Sequence, residues 1–115
     1  MPSKDAKSAL GHILQNIELA RSFIKDRSFE SFCADVRTVY AVIRCLEIIS
    51  EASRRLPASM KRRHPTIPWS DIAGAGNIYR HNYDRVIQRY LWDTIQHDLE
   101  PLRVAVQQEL GRLES

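Results

Sequence analysis

The spacing of apolar residues is the feature that most restricts what this chain can fold into. Apolar side chains recur every three or four positions along most of the sequence, and residues with that spacing share one face of an α-helix. No stretch alternates apolar and polar residues for long, as a half-buried strand would. The sequence therefore predicts an all-α protein. The residues that mark the first helix, from about Lys4 to Lys25, are Leu10, Ile13, Leu14, Ile17, Ala20 and Ile24.

A second, longer helix is predicted from about Ser28 to Leu56, with a bend near Cys33. Ser28 suits the N-cap position because its hydroxyl can accept a hydrogen bond from a backbone N–H of the first turn. The residues that follow, 57–68, include three prolines. Proline interrupts a helix because it lacks an N–H and its ring clashes with the preceding turn. We therefore predict a loop over 57–68.

A third, shorter helix is predicted to begin at Trp69. It contains Gly74 and Gly76, and each glycine in a helix interior costs about 1 kcal/mol relative to alanine. Glycine at such a position commonly lets another backbone or a ligand come close. We expect one of these two approaches at the glycines.

The last helix is predicted from about Arg89 to Leu113. Pro101 interrupts its pattern and should kink it near residues 96–97. Four helices joined by mostly short connections predict an antiparallel bundle of four to five helices. The length of 115 residues fits one domain spanning residues 1–115.

Composition is that of an ordinary globular protein, with 43% apolar and 27% charged residues. The net charge of +3 and the pI of about 9.1 permit a polyanionic partner without requiring one. Cys33 and Cys45 lack metal or redox spacing, so we expect free thiols. No apolar run approaches the length of about 18 residues that a membrane span needs, and no secretory signal is recognisable. We expect a cytoplasmic protein.

Two groups of charged residues have open interpretations. A polar stripe with spacings of three and four follows the long helix, and it is either a solvated face or the lining of a cleft or subunit contact. The segment "MKRRH" makes the 57–68 loop basic, so it either contacts phosphates or is simply solvated. The stripe consists of Tyr40, Arg44, Glu47, Glu51, Arg54 and Arg55.

The strongest candidate for chemistry is the polar run "NIYRHNYDRV", residues 77–86. The four histidines of the chain show no metal-binding spacing, and no phosphate-binding glycine loop is present. We therefore expect no metal site. Near neutral pH, His81 could transfer a proton while the neighbouring Arg80 holds a phosphate. The alternative is that His81 only interacts favourably with the C-terminal dipole of its helix.

At these residues the sequence resembles the HepT-like ribonuclease toxins of the HEPN superfamily. Blocks in the family's order extend over nearly the whole chain: "RSFESF", "VIRCLEIISEASRRLP", "HPTIPWSDIAGAGN", "RHNYDRV" and "LWDTIQHDLEPL". The resemblance implies an all-α, HEPN-like homodimer with the motifs of both chains at a shared cleft. It also implies metal-independent RNA cleavage in a type VII toxin–antitoxin system. The partner would be an MntA-like nucleotidyltransferase that uses ATP to transfer AMP onto a tyrosine, and no cofactor of the chain itself is implied.

Carried over to this chain, the resemblance assigns the polar motif position to Asn77, the catalytic histidine to His81 and the AMP-modified tyrosine to Tyr83. The family's arginine is missing, because Gly76 stands in its place. Arg80 is the expected substitute, since four residues make about one helical turn. The alternative implied by this departure is a catalytically silent HEPN-fold protein that binds RNA, nucleotide or a nucleotidyltransferase.

Overall fold

A computed structural model describes residues 2–81 and 85–114, with side chains for residues 5–76 and 86–114. All regular structure in these residues is helical, and the described residues contain no strand. The fold is an all-α bundle, as predicted. Its helices are α1 (Pro2–Ile24), α2 (Phe29–Ala34), α3 (Val36–Arg54), α4 (Ala58–Arg62), α5 (Trp69–His81), α6 (Arg85–Asp93) and α7 (Leu99–Glu114), with a π-helix over Thr94–Asp98 between α6 and α7.

The core lies between α1, α3 and α7, and α5 packs on the outer side of α3. The apolar face predicted for the first helix is the buried one: Ile13, Ile17 and Ala20 are fully buried. Leu91 and Leu102 bring the last two helices into the same core. Burial of such side chains, at about 25 cal/mol per Å² of apolar surface, is what holds the bundle together.

The prediction of one helix over Ser28–Leu56 with a bend near Cys33 was wrong in detail, because the chain forms two helices separated at Asp35. The Asp35 carboxylate accepts hydrogen bonds from the backbone N–H and the hydroxyl of Thr38 and so caps α3. A capping aspartate takes a non-helical backbone conformation, here φ −105° and ψ 94°. The predicted cap at Ser28 is confirmed, since its hydroxyl accepts from the Ser31 N–H at 3.0 Å.

The predicted loop over 57–68 contains the short helix α4, which begins directly after Pro57. Proline is compatible with a helix start because the first N–H groups of a helix have no intrahelical partner.

The last helical segment begins earlier than predicted, at Arg85. Its departure from regular α-helix includes residues 96–97, where the kink was predicted. The π-helix covers residues 94–98, and the Leu99 N–H bonds the Thr94 carbonyl five residues back.

Pro101 gives the reason for this wider turn. In a regular α-helix its ring would clash with the carbonyl of the residue four positions earlier, which is His97. The π-helix includes His97 and changes the position of that carbonyl relative to the ring. No helix in the described residues is both long enough and apolar enough to cross a membrane.

Candidate functional site

The first turn of α5 is fixed to the connection that precedes it. The indole N–H of Trp69 lies 3.1 Å from two backbone carbonyl oxygens, those of Lys61 and His64. The backbone N–H of Trp69 also donates to the Ile67 carbonyl at 2.8 Å. A buried indole N–H generally finds such a partner, and here it ties the start of the motif-bearing helix to α4.

The middle of α5 is fixed to α3 by one buried serine. The Ser50 hydroxyl donates to the Ala73 carbonyl at 2.9 Å and accepts from the Gly76 N–H at 3.3 Å. Ser50 is only 1% exposed, so both bonds form away from water, where an unmade hydrogen bond would be costly. Ser50 thereby determines the rotation and the height of α5 against α3.

Gly76 makes this contact possible. A Cβ atom built at Gly76 would lie 3.2 Å from the Ser50 hydroxyl oxygen, which is tighter than ordinary packing. We expected another backbone or a ligand to come close to these glycines, and at Gly76 it is a side chain, that of Ser50, that does so. At Gly74 a Cβ would meet no atom within 4 Å.

The direction of α5 relative to α3 determines the surroundings of the motif. The connection between the two helices turns tightly, with hydrogen bonds from Met60 to Pro57, from His64 to Lys61 and from Ile67 to His64. So compact a connection returns the chain antiparallel to α3. The residues of α3 that precede Ser50 therefore run beside the residues of α5 that follow Gly76.

Part of the polar stripe belongs to that portion of α3. Tyr40 is 56% exposed, Arg44 is exposed, and Glu47 is partly buried and lies 3.8 Å from the Arg44 guanidinium. In the single chain this part of the stripe faces solvent beside the end of α5. Both interpretations of the stripe remain compatible with that position.

The element after the motif is held from the other side. The ring of Trp92 in α6 packs against Phe29 and Phe32 of α2, with centroid distances of 6.0 and 5.5 Å. The Arg89 guanidinium lies 4.6 Å from the centre of the Phe29 ring. Such aromatic and cation–π contacts contribute about 0.5–1.5 kcal/mol each. They position α6, which begins directly after the motif.

Three of the four residues assigned by resemblance lie in α5. Asn77, Arg80 and His81 occupy its last two turns, with His81 as its final residue. Their backbone is helical, and their side chains lie outside the described part. Tyr83 lies outside the described residues altogether. In the described part, no three His, Cys, Asp or Glu side chains gather closely enough to hold a metal ion.

An apolar cavity of about 300 Å³ lies on the side of α5 that carries Ile72 and Ala75. Its other walls come from α3, from residues 66–68 and from the π-helix with the start of α7. Among the residues with described side chains, the charged ones that line it are Asp71 and Asp98, with no lysine or arginine. This cavity therefore suits an apolar group far better than a phosphate.

Comparison with known proteins now identifies the family. The family model "Ribonuclease HepT-like" matches residues 13–109, most of the chain. The chain belongs to the HepT-like ribonuclease family. The model spans the segment from the middle of α1 to α7, and so includes the buried contact between Ser50 and Gly76 as well as the end of α5.

Individual HepT-like relatives agree with this assignment. The chain is similar to "Probable ribonuclease HepT" of Thermococcus cleftensis, with 42% identity over 84% of this chain and 88% of the relative. A protein of Methanocaldococcus jannaschii, provisionally named an RNase, is 32% identical over 99% of this chain and 98% of its own. Another such RNase, of Caldanaerobacter subterraneus subsp. tengcongensis, is 36% identical over 95% of this chain and 97% of its own. No solved structure matches the chain.

Sequence reasoning missed the residues that position the motif of this HepT-like chain. Ser50 stands among apolar residues of the α3 sequence, and nothing in that sequence indicates that its hydroxyl makes two hydrogen bonds to α5. Phe29 and Phe32 are spaced as i and i+3 in "RSFESF". That spacing shows an apolar helix face, but it does not identify Trp92 as the residue that this face contacts.

Proposed function

We propose that this chain is a metal-independent endoribonuclease and the toxin of a HepT/MntA-like toxin–antitoxin pair. The observation that carries the proposal is the placement of Asn77, Arg80 and His81 in the last two turns of α5, in a chain of the HepT-like ribonuclease family. That helix is anchored at its first turn by Trp69 and at its middle by Ser50. Precise positioning of the reacting groups is a large part of catalysis.

In the proposed mechanism, His81 takes the proton from a ribose 2′-hydroxyl, whose oxygen attacks the adjacent 3′-phosphate. The bond from phosphorus to the 5′-oxygen of the next nucleotide breaks and that oxygen takes a proton from water, leaving a 2′,3′-cyclic phosphate and a 5′-hydroxyl. The proton on His81 then returns to solvent. Arg80 holds the phosphate and stabilises its developing charge, and Asn77 supplies a polar contact. General acid–base catalysis of this kind contributes about 10²–10⁴ in rate.

We further propose that the active form is a symmetric homodimer and that AMP on Tyr83 is the off-switch. A shared cleft would place the two motifs beside the exposed part of the α3 stripe. AMP transferred from ATP by a nucleotidyltransferase partner would bring bulk and negative charge to a site that must accept phosphates. Cleavage and RNA binding would then both weaken.

The decisive experiment is cleavage of a labelled RNA by the purified chain in the presence of EDTA. We expect cleavage by the wild type, with 2′,3′-cyclic phosphate ends, and none by His81→Ala at unchanged helical circular dichroism. Arg80→Lys should also lose activity, because an ammonium cannot grip two phosphate oxygens as a guanidinium does. Wild-type rates in Arg80→Ala would refute the role of Arg80.

The second candidate function is a catalytically silent member that binds RNA, nucleotide or the nucleotidyltransferase. The observation that favours it is Gly76, which stands where the resemblance expects an arginine and where a Cβ would lie 3.2 Å from the Ser50 hydroxyl oxygen. Wild-type protein that binds RNA but leaves it intact under all conditions would support this function. Intact-mass spectrometry after co-expression with the neighbouring nucleotidyltransferase tests the switch in either case, since one AMP adds about 329 Da in the usual phosphoryl-transfer chemistry.

A further inference from the structure

Four cations lie in the segment from the end of α3 to the end of α4. Arg54 and Arg55 close α3, and Lys61 and Arg62 close α4; we call these four residues the basic end. All are exposed except Lys61, which is partly exposed. Within the described residues none of the four forms an ion pair, although Glu51 lies one turn earlier on α3. Among the residues with described side chains, no carboxylate pairs with any of the four positive charges of the basic end.

The neighbouring basic residues behave differently. The Arg63 guanidinium binds both carboxylate oxygens of Glu109, and His64 Nε2 lies 2.7 Å from one of them. The Glu109 side chain is only 3% exposed. The fold thus divides the run Lys61–His64 into two pairs. Arg63 and His64 bind Glu109 of α7, whereas Lys61 and Arg62 remain accessible to solvent.

The short connection keeps the two halves of the basic end together. Leu56 donates to the Ser53 carbonyl and Met60 to the Pro57 carbonyl, so the chain turns at once from α3 into α4. Arg55 also bonds His12 of α1, Nη2 to Nδ1, at 3.2 Å. One cation can offset the dipole of a helix C-terminus. Helix α4 is barely one turn long and ends in two cations, Lys61 and Arg62, which is more positive charge than so short a dipole needs. Unpaired like charges repel one another, so this surface favours a polyanion.

We propose that the basic end binds the phosphodiester backbone of the RNA several nucleotides away from the cleavage motif. This rests on the proposed function, because it names a second contact for the same substrate. Helix α5 starts beside Lys61 and ends at His81, and its 13 residues span about 20 Å. A single strand bound at both places would follow α5. The strand would avoid the side of α5 that lines the cavity, because Asp71 and Asp98 would repel its phosphates.

The test measures binding separately from cleavage, with a fluorescent RNA whose 2′-hydroxyls are methylated and cannot attack. Affinity is measured by anisotropy over a range of KCl concentrations. Each phosphate contact with a single strand contributes about 0.7 to the slope of log affinity against log salt. We expect Arg62→Gln to lower the slope by about 0.7, which is about a fivefold change in affinity for each tenfold change in salt.

The matched control is Lys25→Gln, which also removes one exposed charge but lies about 13 residues along α1 from His12, or about 20 Å. Its slope should equal that of the wild type. The double variant Arg54→Gln/Arg62→Gln should lower the slope by about 1.4 if α3 and α4 contribute to one binding surface.

Equal slopes for Arg62→Gln and Lys25→Gln would overturn the inference, whether both match the wild type or both decline. If the slopes were equal and the wild-type protein still cleaved RNA, the proposed ribonuclease function would be supported and only this inference would be refuted. Protein that binds RNA through the basic end but never cleaves it would support the inference and refute the proposed ribonuclease activity. If Arg62→Gln bound RNA as the wild type does but no longer bound an acidic protein partner, that result would also overturn the assignment of the basic end to RNA.

Discussion

At the scale of residues, the contact between Gly76 and Ser50 leaves little room for a side chain at position 76. Alanine at an open helix position stabilises by about 1 kcal/mol over glycine, so Gly74→Ala, with no atom within 4 Å of its Cβ, should raise the free energy of unfolding by that amount. Gly76→Ala should not, because its Cβ would press on a hydroxyl already bonded on both sides. Urea denaturation of both variants checks this difference.

An arginine at position 76 should be unfavourable for the same reason. Gly76→Arg would place a long side chain at the crossing of α3 and α5, where overpacking costs about 1–3 kcal/mol. We expect a lower thermal midpoint and no gain in RNA cleavage. A Gly76→Arg protein that is as stable as the wild type and cleaves faster would show that the described packing of α5 is wrong.

Among the ion pairs that α7 forms within the described residues, Glu109 has the most deeply buried charge. The Arg63 guanidinium, and then His64, lower the pKa of its carboxyl to about 2. Glu109→Gln should reduce the free energy of unfolding by about 2 kcal/mol at pH 7, below the 3–5 kcal/mol of a fully buried pair because Arg63 is partly exposed. Glu114, which is exposed and lies 4.0 Å from Lys7, provides the control. Glu114→Gln should change the free energy of unfolding by less than about 0.5 kcal/mol.

The same carboxylate predicts a pH dependence. A carboxyl whose pKa is lower in the folded than in the unfolded state stabilises the fold above its unfolded value of about 4.5, and less as the pH falls. The stability difference between wild type and Glu109→Gln should therefore be full at pH 6, shrink below about pH 4.5 and vanish near pH 2. A difference independent of pH would mean that the variant acts through packing instead of charge.

At the scale of elements, the separation of α2 from α3 depends on the cap at Asp35. Removing an N-cap side chain costs about 1 kcal/mol, whereas asparagine caps about as well as aspartate. Asp35→Ala should therefore lower the thermal midpoint by several degrees, and Asp35→Asn much less, although Asn loses the ion pair with Arg27 at 3.1 Å. If both variants melted together, the ion pair would matter more than the cap.

At the scale of the whole molecule, the proposed homodimer would use the exposed face of α3 beside the end of α5. Val36 is 58% exposed and lies one turn before Tyr40 on that face. Val36→Glu should weaken the dimer, because a charge in an interface core is unfavourable. Val104→Glu, at a 40% exposed valine of α7, is the matched control. Sedimentation at micromolar concentration distinguishes the two, and a monomeric wild type would exclude the dimer.

The sequence alone was sufficient for the helical class and for most of the core. Apolar spacing identifies the buried face of a helix locally, which is why Ile13, Ile17 and Ala20 could be predicted. The cap at Ser28 was likewise predictable, because a capping serine bonds within its own turn. The assignment of Asn77, Arg80, His81 and Tyr83 came from the order of family motifs, and their roles remain predictions.

Only the tertiary structure decided which residues hold the motif-bearing helix and which cations stay in solvent. The Ser50 hydroxyl meets Gly76 across 26 positions of sequence, and Arg63 meets Glu109 across 46. Neither pairing leaves a local signal, because a serine in an apolar helix and an arginine in a basic run have many possible partners. The run "KRRH" is uniformly basic as a sequence. In the structure its last two residues bind the buried Glu109 carboxylate of α7, and its first two remain accessible to solvent. That division depends on how α7 packs, which the spacing of residues within one helix does not determine.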